Sequence, residues 1–209
     1  MNVSWVFDVI SPFSYLGLKQ LDRLPGGTRV TFVPVLFGAL LQHFGQLGNA
    51  EITAKRRFTY RFVLWRARQM GVPLRFPPSH PFNPLQAMRL IVAAGSDRRA
   101  VDCVFDAAWK HGRDVSDPTV IGDLARELGV TEASLASPDT KQGLRTNTEW
   151  AIERGVFGVP MFAIDRELFW GQDAFDMVVD YLRDPTIFED GEMRALDELP
   201  VGVVRSRTA

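Results

Sequence analysis

The chain has 209 residues, of which 46% are hydrophobic and 23% are charged. This balance is typical of a folded globular protein and excludes extended disorder, and the length accommodates one core with an insertion or two domains. The formal net charge is -1, so the protein has no overall field that would hold a polyanion. We therefore expect no nucleic-acid partner.

The chain has one cysteine, Cys103, which excludes an intramolecular disulfide and a Cys-x-x-Cys redox pair. The N-terminal residues lack the basic segment, apolar run and small-residue cleavage site of a secretory signal. No apolar stretch approaches the roughly 20 residues that a membrane helix needs. We expect a cytoplasmic protein with no membrane contact, in a reducing compartment that keeps small thiols reduced.

The first third of the chain is predicted to form a strand, a helix and a second strand. Val3–Ile10 is rich in β-branched and aromatic residues, which indicates a strand buried on both faces. Ser11 and Pro12 follow at once; serine is a favoured helix N-cap, and proline suits the first helical position. The helix is expected to end at Pro25, and Thr28–Phe37 is predicted to be the second strand.

The middle of the chain is predicted to be helical. Apolar periodicity and helix-stop residues indicate helices over five segments: Ala54–Met70, Leu85–Gly95, Arg98–His111, Asp117–Leu128 and Ser137–Arg154. Val72–Pro84 contains five prolines and is expected to be irregular.

The last third is predicted to form a hairpin and a helix. Met161–Ile164 is short and apolar, and Glu167–Trp170 pairs back on it after a two-residue turn. Asp173 is predicted to cap a helix over Phe175–Leu182.

These elements together predict an α/β fold. The two ends of the chain, residues 1–44 and 156–209, make one α/β layer. Residues 45–155 are predicted to form an all-helical insertion that covers one side of this layer.

Ser11 is the first candidate for chemistry. It lies at the C-terminal end of the first predicted strand and at the N-terminus of the first helix, where open α/β sheets place ligands. A thiolate held at a helix N-terminus has a lowered pKa, and a serine hydroxyl can donate a hydrogen bond to it. The alternative is that Ser11 is only a helix N-cap, and the two roles are compatible.

Val159 and Pro160 precede the third predicted strand. A plain turn is one interpretation of this segment. If the peptide bond between the two residues is cis, the backbone N–H and C=O of Val159 are exposed and can pair with an extended peptide.

Gln172 and Asp173 follow a strand end and a glycine. In the structural interpretation Asp173 is a helix N-cap. In the functional interpretation Asp173 accepts from a ligand ammonium, while Gln172 and free backbone N–H groups bind a carboxylate. An α-amino acid group carries both of these charges.

Lys55 and the histidines are the remaining polar candidates. Lys55 opens a basic run at the start of a predicted helix, so it belongs either to a solvated helix face or to a site for a ligand carboxylate. His43, His80 and His111 share no close spacing with Asp, Glu or Cys, so we expect no metal site.

Two separated motifs resemble the signatures of a known enzyme family. The first is FDVISPFSYL at Phe7–Leu16, and the second joins GVFGVP at Gly155–Pro160 to LFWGQD at Leu168–Asp173. They resemble the 2-hydroxychromene-2-carboxylate isomerases, which are related to kappa-class glutathione transferases and DsbA-like disulfide oxidoreductases. Ala54–Arg57 and Phe76–Pro78 add matches, so the resemblance spans nearly the whole chain.

The resemblance implies a thioredoxin-like fold with a helical insertion, assembled as a homodimer, with glutathione as its cofactor. It implies that the glutathione sulfur lies beside Ser11, where a redox relative has a cysteine. Val159, before a cis Pro160, would pair with the tripeptide backbone. Gln172 and Asp173 would hold the γ-glutamyl end.

The resemblance also assigns a role to Lys55, which matches a lysine that helps to bind the ligand in kappa-class relatives. Family members often have Gly-Asn in the loop before this lysine. The best match here is Gly45 followed by Gln46, with Asn49 as a nearby alternative. We therefore expect Gln46 to contact glutathione, or Asn49 in its place.

The implied activity is glutathione-dependent isomerisation of 2-hydroxychromene-2-carboxylate, or a related small aromatic catabolite, to a trans-o-hydroxybenzylidenepyruvate type of product. Ser11 would stabilise the thiolate nucleophile and not attack the substrate itself. Two alternatives stay open: a kappa-like glutathione transferase or peroxidase, and a non-catalytic thioredoxin-fold protein that binds glutathione. Phe37, Trp65, Phe82 and Trp150 are candidates for the aromatic pocket and are equally well explained as core residues.

Overall fold

The computed structural model describes residues 1–203 and contains a mixed sheet of four strands in the order β2-β1-β3-β4. The strands are β1 (Asn2–Phe7), β2 (Arg29–Pro34), β3 (Met161–Ile164) and β4 (Glu167–Trp170). β1 pairs in parallel with β2 and antiparallel with β3, and β3 pairs antiparallel with β4. The first and last thirds of the chain therefore meet in one sheet.

Residues 1–203 contain ten α-helices. They are α1 (Pro12–Leu18), α2 (Phe37–His43), α3 (Thr53–Gln69), α4 (Leu85–Ala93), α5 (Arg98–Phe105), α6 (Pro118–Leu128), α7 (Glu132–Ala136), α8 (Pro138–Glu153), α9 (Phe175–Arg183) and α10 (Gly191–Asp197). The five predicted helices of the middle are confirmed, although the third changes after Phe105 into a π-helical turn over Asp106–Lys110. Within the described residues no helix is long and apolar enough to cross a bilayer.

Both N-terminal strands are shorter than predicted. β1 ends at Phe7 because the next residues turn, and the N–H of Ser11 donates to the carbonyl of Asp8 at 3.1 Å. β2 ends at Pro34, and α2 begins at Phe37, inside the segment predicted as strand. The turn after β1 places Ser11 at the start of α1 and at the edge of the sheet.

The alternation of side chains along β1 divides the hydrophobic core into two parts. Trp5 and Phe7 belong to a large cluster that also contains buried side chains of α4, α5 and α9. Val6 points to the other face and packs with Val33 and Met161 in a smaller cluster. The prediction that the first strand is buried on both faces is therefore confirmed. The division into a discontinuous α/β domain and a helical domain stays a prediction.

Candidate active site

Ser11 is the N-cap of α1, as predicted, and the residue is 8% exposed. Its Oγ accepts a hydrogen bond from the backbone N–H of Ser14 at 3.2 Å. It also donates to the carbonyl oxygen of Val159, at the long distance of 3.4 Å. Because the bond to Val159 is long, the hydroxyl proton can turn to a stronger acceptor while the bond from Ser14 keeps the oxygen in place.

Val159, whose carbonyl accepts this hydrogen bond, is followed by Pro160, and the peptide bond between the two residues is cis. The ring of Pro160 contacts Gly17 of α1, where a Cβ would lie 3.5 Å from Pro160 Cγ. Among residues 1–203 the backbone N–H of Val159 has no hydrogen-bond acceptor. A backbone N–H without an acceptor is open to the backbone carbonyl of an extended ligand.

Gln172 and Asp173 lie beside the same segment. The N–H of Gly171 donates to the carbonyl of Pro160 at 2.9 Å, which ties the turn after β4 to the cis-proline segment. Gln172 is 1% exposed, and its Oε1 lies 3.5 Å from Nε of Arg66, whereas Asp173 is exposed. The structure thus brings Ser11, the Val159 segment and Gln172 to one edge of the sheet.

The prediction that Asp173 caps the following helix is wrong. α9 begins at Phe175, and its N-cap is Ala174, which has no side-chain acceptor. Gly171 has a φ of 95°, and the turn it makes folds the Asp173 carboxylate back over Gly171 instead of towards the helix. The first N–H groups of α9 are therefore not capped by their N-cap residue, and the start of this helix favours an anion.

A cavity of about 520 Å³ opens between the start of α1 and the first half of α3. Its walls are Phe13, Asn49, Ala54, Lys55, Phe58, Thr59 and Phe62. The Phe62 ring lies 6.1 Å from that of Phe13 and 5.9 Å from that of Phe58 between ring centroids. Because Phe13 is two residues after Ser11, this aromatic cavity adjoins the candidate site.

Only some of the residues that were proposed from sequence for ligand binding line this cavity. Lys55 and Asn49 line it together, whereas Gln46 lies outside it and is exposed. The four aromatic residues named as pocket candidates are likewise outside its lining: Phe37, Trp65, Phe82 and Trp150. The phenylalanines of α1 and α3 were not identified from sequence, since their helical spacing is equally typical of core residues.

The turn that leads into Ser11 is held by two side chains from the middle of the chain, and neither was identified from sequence. Trp109 Nε1 donates to the carbonyl of Val9 at 2.7 Å, and His80 Nε2 donates to the carbonyl of Ile10 at 2.8 Å. Burial lowers the pKa of His80, which favours the neutral ring with its proton on Nε2. The hydroxyl of Tyr60 lies 2.7 Å from both acceptors of His80, the Nδ1 and the backbone carbonyl, and its one proton is shared between them. These bonds fix the backbone immediately before Ser11.

Asp8 is a further residue that sequence reasoning missed. Its carboxylate is fully buried and accepts hydrogen bonds from the backbone N–H groups of Ile10 at 3.0 Å and Phe37 at 2.9 Å. Burial raises its pKa from 3.8 to about 7, against the opposing effect of the two N–H donors. The available signal was a carboxylate placed within an apolar strand motif, three residues before Ser11.

Cys103 does not supply a nucleophile at this site. It lies on α5, half-buried, and burial raises the pKa of its thiol to about 11. The thiolate fraction at neutral pH is therefore very small. No group of three or more His, Cys, Asp or Glu side chains within residues 1–203 is arranged to hold a metal ion.

The chain is similar to known proteins over most of its length. Residues 2–183 match the DsbA-like thioredoxin domain family. The 2-hydroxychromene-2-carboxylate isomerase of Sphingobium xenophagum is 30% identical over 193 residues, which cover 88% of this chain and 98% of the relative. The kappa 2 glutathione transferase of Caenorhabditis elegans is 26% identical over 207 residues, with 88% and 92% covered.

A solved structure of a 2-hydroxychromene-2-carboxylate isomerase superposes with a TM-score of 0.78 at 24% identity, and the match covers 92% of this chain and 99% of that one. It supports the fold. The thioredoxin-like fold and the family resemblance expected from the motifs are confirmed. The chain belongs to the DsbA-like thioredoxin family, and its relatives include 2-hydroxychromene-2-carboxylate isomerases and kappa-class glutathione transferases.

Proposed function

We propose that this chain is a glutathione-dependent isomerase that converts 2-hydroxychromene-2-carboxylate, or a related aromatic catabolite, to the trans-o-hydroxybenzylidenepyruvate type of product. The observation that carries the proposal is the pair formed by Ser11 and Val159. A hydroxyl with a weakly held proton lies beside a backbone N–H without an acceptor. A thiol tripeptide offers a partner for each of these groups.

The residues present fit glutathione. The Val159 N–H and C=O would pair with the cysteinyl backbone, as in strand addition. The first N–H groups of α9 and the buried amide of Gln172 would bind the γ-glutamyl carboxylate, and the exposed Asp173 would accept from its ammonium. Lys55, with Asn49 in preference to Gln46, would bind the carboxylate at the other end of the tripeptide.

Ser11 is proposed to hold the sulfur and not to attack the substrate. When bound, glutathione would supply the thiolate nucleophile for reversible addition to the conjugated substrate, which allows bond rotation. The Ser11 hydroxyl would exchange its 3.4 Å contact with the Val159 carbonyl for a charge-assisted hydrogen bond to that thiolate. This bond favours the thiolate over the thiol, because only the charged form gains it.

The aromatic cavity is the proposed substrate site. A cavity of about 520 Å³ is within the size range of small-molecule pockets, and its rings offer stacking surfaces for a bicyclic aromatic compound. Lys55 at its wall is positioned to pair with a carboxylate, either of glutathione or of the substrate.

A second candidate is a kappa-like glutathione transferase or peroxidase, which the similarity to the Caenorhabditis elegans kappa enzyme favours. The same site would then retain the sulfur adduct or reduce a peroxide. A third candidate is a protein that binds glutathione without turnover. We also propose the homodimer that the resemblance implies, which sedimentation of the purified chain tests.

Product analysis separates these candidates. The native protein is incubated with glutathione and 2-hydroxychromene-2-carboxylate, and the products are identified by mass. If the protein is an isomerase, the product has the same mass as the substrate and all glutathione is recovered as the thiol. The Ser11→Ala variant is then expected to lose activity. The matched control is Ser137→Ala, since Ser137 also precedes a proline as a helix N-cap but lies on α8. A glutathione adduct of the substrate, or glutathione disulfide, indicates the transferase or peroxidase. If the folded protein gives no turnover, both the isomerase and the transferase proposals are contradicted.

A further inference from the structure

A second cavity lies between α4, α6, α7 and the start of α8, and shares no wall residue with the aromatic cavity. Its volume is about 670 Å³, which is typical of a site for a small organic ligand. Apolar side chains, among them Ile121 and Leu135, form one part of the wall. Arg89 and Lys141 form another part, so the cavity is both apolar and cationic.

Arg89 lacks a partner for a buried donor. Its Nε is buried and has no hydrogen-bond acceptor within the described residues. Nor does its guanidinium form an ion pair with any acidic side chain of residues 1–203. Buried donors in folded proteins are nearly always bonded, because an unbonded one costs free energy. The buried Nε is itself closed to solvent, so an anion in the cavity would pair with the charge of the guanidinium, which no acidic side chain of the described residues neutralises.

The charges around the cavity favour an anion. Lys141 is exposed and forms no ion pair among the described residues, and Glu132 is the one carboxylate in the wall. Arg126 is already paired with Asp123, which also pairs with a second arginine. Two unpaired cations thus face one carboxylate. The apolar wall indicates that the anion carries an apolar body.

We propose that this cavity binds a small organic carboxylate, whose charged end pairs with Arg89 and Lys141 and whose apolar body lies against Ile121 and Leu135. The ligand class covers aliphatic and aromatic carboxylates, because both offer two acceptor oxygens on a compact apolar body. Arg89 matches this group well, since a guanidinium bonds a carboxylate through two parallel N–H groups. The proposal does not depend on glutathione or on the isomerase activity.

The test is calorimetry of the full chain with octanoate and with naphthoate as probes. We expect saturable binding of at least one probe at or below about millimolar concentration. Arg89→Met and Lys141→Met are each expected to weaken binding about tenfold, which is the effect of losing one charge-assisted hydrogen bond. The better of the two probes identifies the ligand as aliphatic or aromatic.

Three controls make the result specific. Arg145→Met removes an exposed cation from α8 that pairs with Glu149 outside the cavity, and is expected to change binding less than about twofold. Octanol, which has the apolar body without the charge, is expected to bind about tenfold more weakly than octanoate. Lys55→Met is expected to leave octanoate binding unchanged, because Lys55 lines the other cavity; octanoate is used here since naphthoate, a bicyclic aromatic carboxylate, is also expected in the aromatic cavity.

The proposal is overturned if neither probe binds at millimolar concentration, if octanol binds as tightly as octanoate, or if Arg145→Met weakens binding as much as Arg89→Met. Loss of octanoate binding in Lys55→Met alone would place this carboxylate in the aromatic cavity and would also overturn the proposal. Lys141 is exposed, so Lys141→Met provides the test even if Arg89→Met does not fold.

Discussion

The buried carboxylate of Asp8 accepts a hydrogen bond from the backbone N–H of Phe37 at 2.9 Å. Phe37 is the first residue of α2, whose N-cap, Leu36, has no side-chain acceptor. Asp8 therefore caps α2 across space, while its other oxygen accepts from Ile10 in the turn that leads to Ser11. One carboxylate joins the end of β1, the start of α2 and the candidate active site.

This arrangement predicts a pH-dependent contribution of Asp8 to stability. Its pKa is raised from 3.8 to about 7 on folding, so between these values the folded state binds more protons than the unfolded state. The Asp8 contribution to the free energy of unfolding is therefore favourable at low pH and is lost as the pH rises through this window. The loss is on the order of 4 kcal/mol.

The Asp8→Asn variant has no titratable group at position 8. Its free energy of unfolding should therefore lack the decrease that Asp8 causes as the pH rises. Urea unfolding of the native protein and of Asp8→Asn at about pH 4 and pH 8 measures the difference directly. Asp139→Asn, at an exposed carboxylate of α8, is the control and should follow the native pH dependence. An Asp8→Asn variant with the native pH dependence would contradict the account of Asp8.

The contact of Gly17 with Pro160 predicts a limit on side-chain size. A Cβ at Gly17 would lie 3.5 Å from Pro160 Cγ and 3.7 Å from Trp5 Nε1, which are ordinary contacts. Gly17→Ala should therefore raise the free energy of unfolding by about 0.5 kcal/mol or leave it unchanged. Gly17→Val adds methyl groups against Pro160 and should lower it by about 1–3 kcal/mol. Equal stability of the two variants would show that this contact is loose.

Gln172 is predicted to serve ligand binding more than stability. Its one side-chain hydrogen bond among the described residues is the 3.5 Å contact with Arg66, which is close to the limit for such a bond. Gln172→Leu should change the free energy of unfolding by less than about 1 kcal/mol but weaken glutathione binding about tenfold. The exposed Gln142→Leu on α8 is the matched control. Unchanged binding in Gln172→Leu would remove Gln172 from the site.

Lys55 is predicted to act through its charge. Lys55→Met should weaken glutathione binding about threefold to fivefold, as expected for an exposed ion pair, while Arg61→Met on the same helix should have little effect. Added salt should weaken binding to the native protein and to Arg61→Met, but much less to Lys55→Met. The comparison is made by calorimetry at low and high ionic strength. The same salt dependence in all three proteins would contradict the assignment.

The parts of this fold that depend on neighbouring residues were predictable from sequence. Ser11 and Pro12 start α1, and a short apolar segment followed by a two-residue turn forms the β3–β4 hairpin. The two segments that contain Ser11 and Val159 were recognised only because each carries a motif of a known family. No local sequence pattern connects Ser11 with Val159, which lies 148 residues further along the chain.

The features that were missed depend on contacts between distant segments. The cap that Asp8 provides to α2, and the bond from His80 to Ile10 across 70 residues, have no signature in sequence spacing. Asp173 has the residue type of an N-cap, but the turn at Gly171 directs its carboxylate away from α9. Asn49 and Gln46 were both named from sequence, and of these two Asn49 lines the cavity; which of them contacts glutathione stays a prediction.

The most direct test of the central claim is glutathione binding measured by calorimetry together with the ultraviolet absorbance of the bound thiolate. The native protein should bind glutathione and hold part of it as thiolate at neutral pH. Ser11→Ala should still bind it but with roughly tenfold less thiolate, because the charge-assisted hydrogen bond is lost, whereas Ser137→Ala should keep the native absorbance. No binding at about millimolar glutathione, or an undiminished thiolate band in Ser11→Ala, would contradict the account.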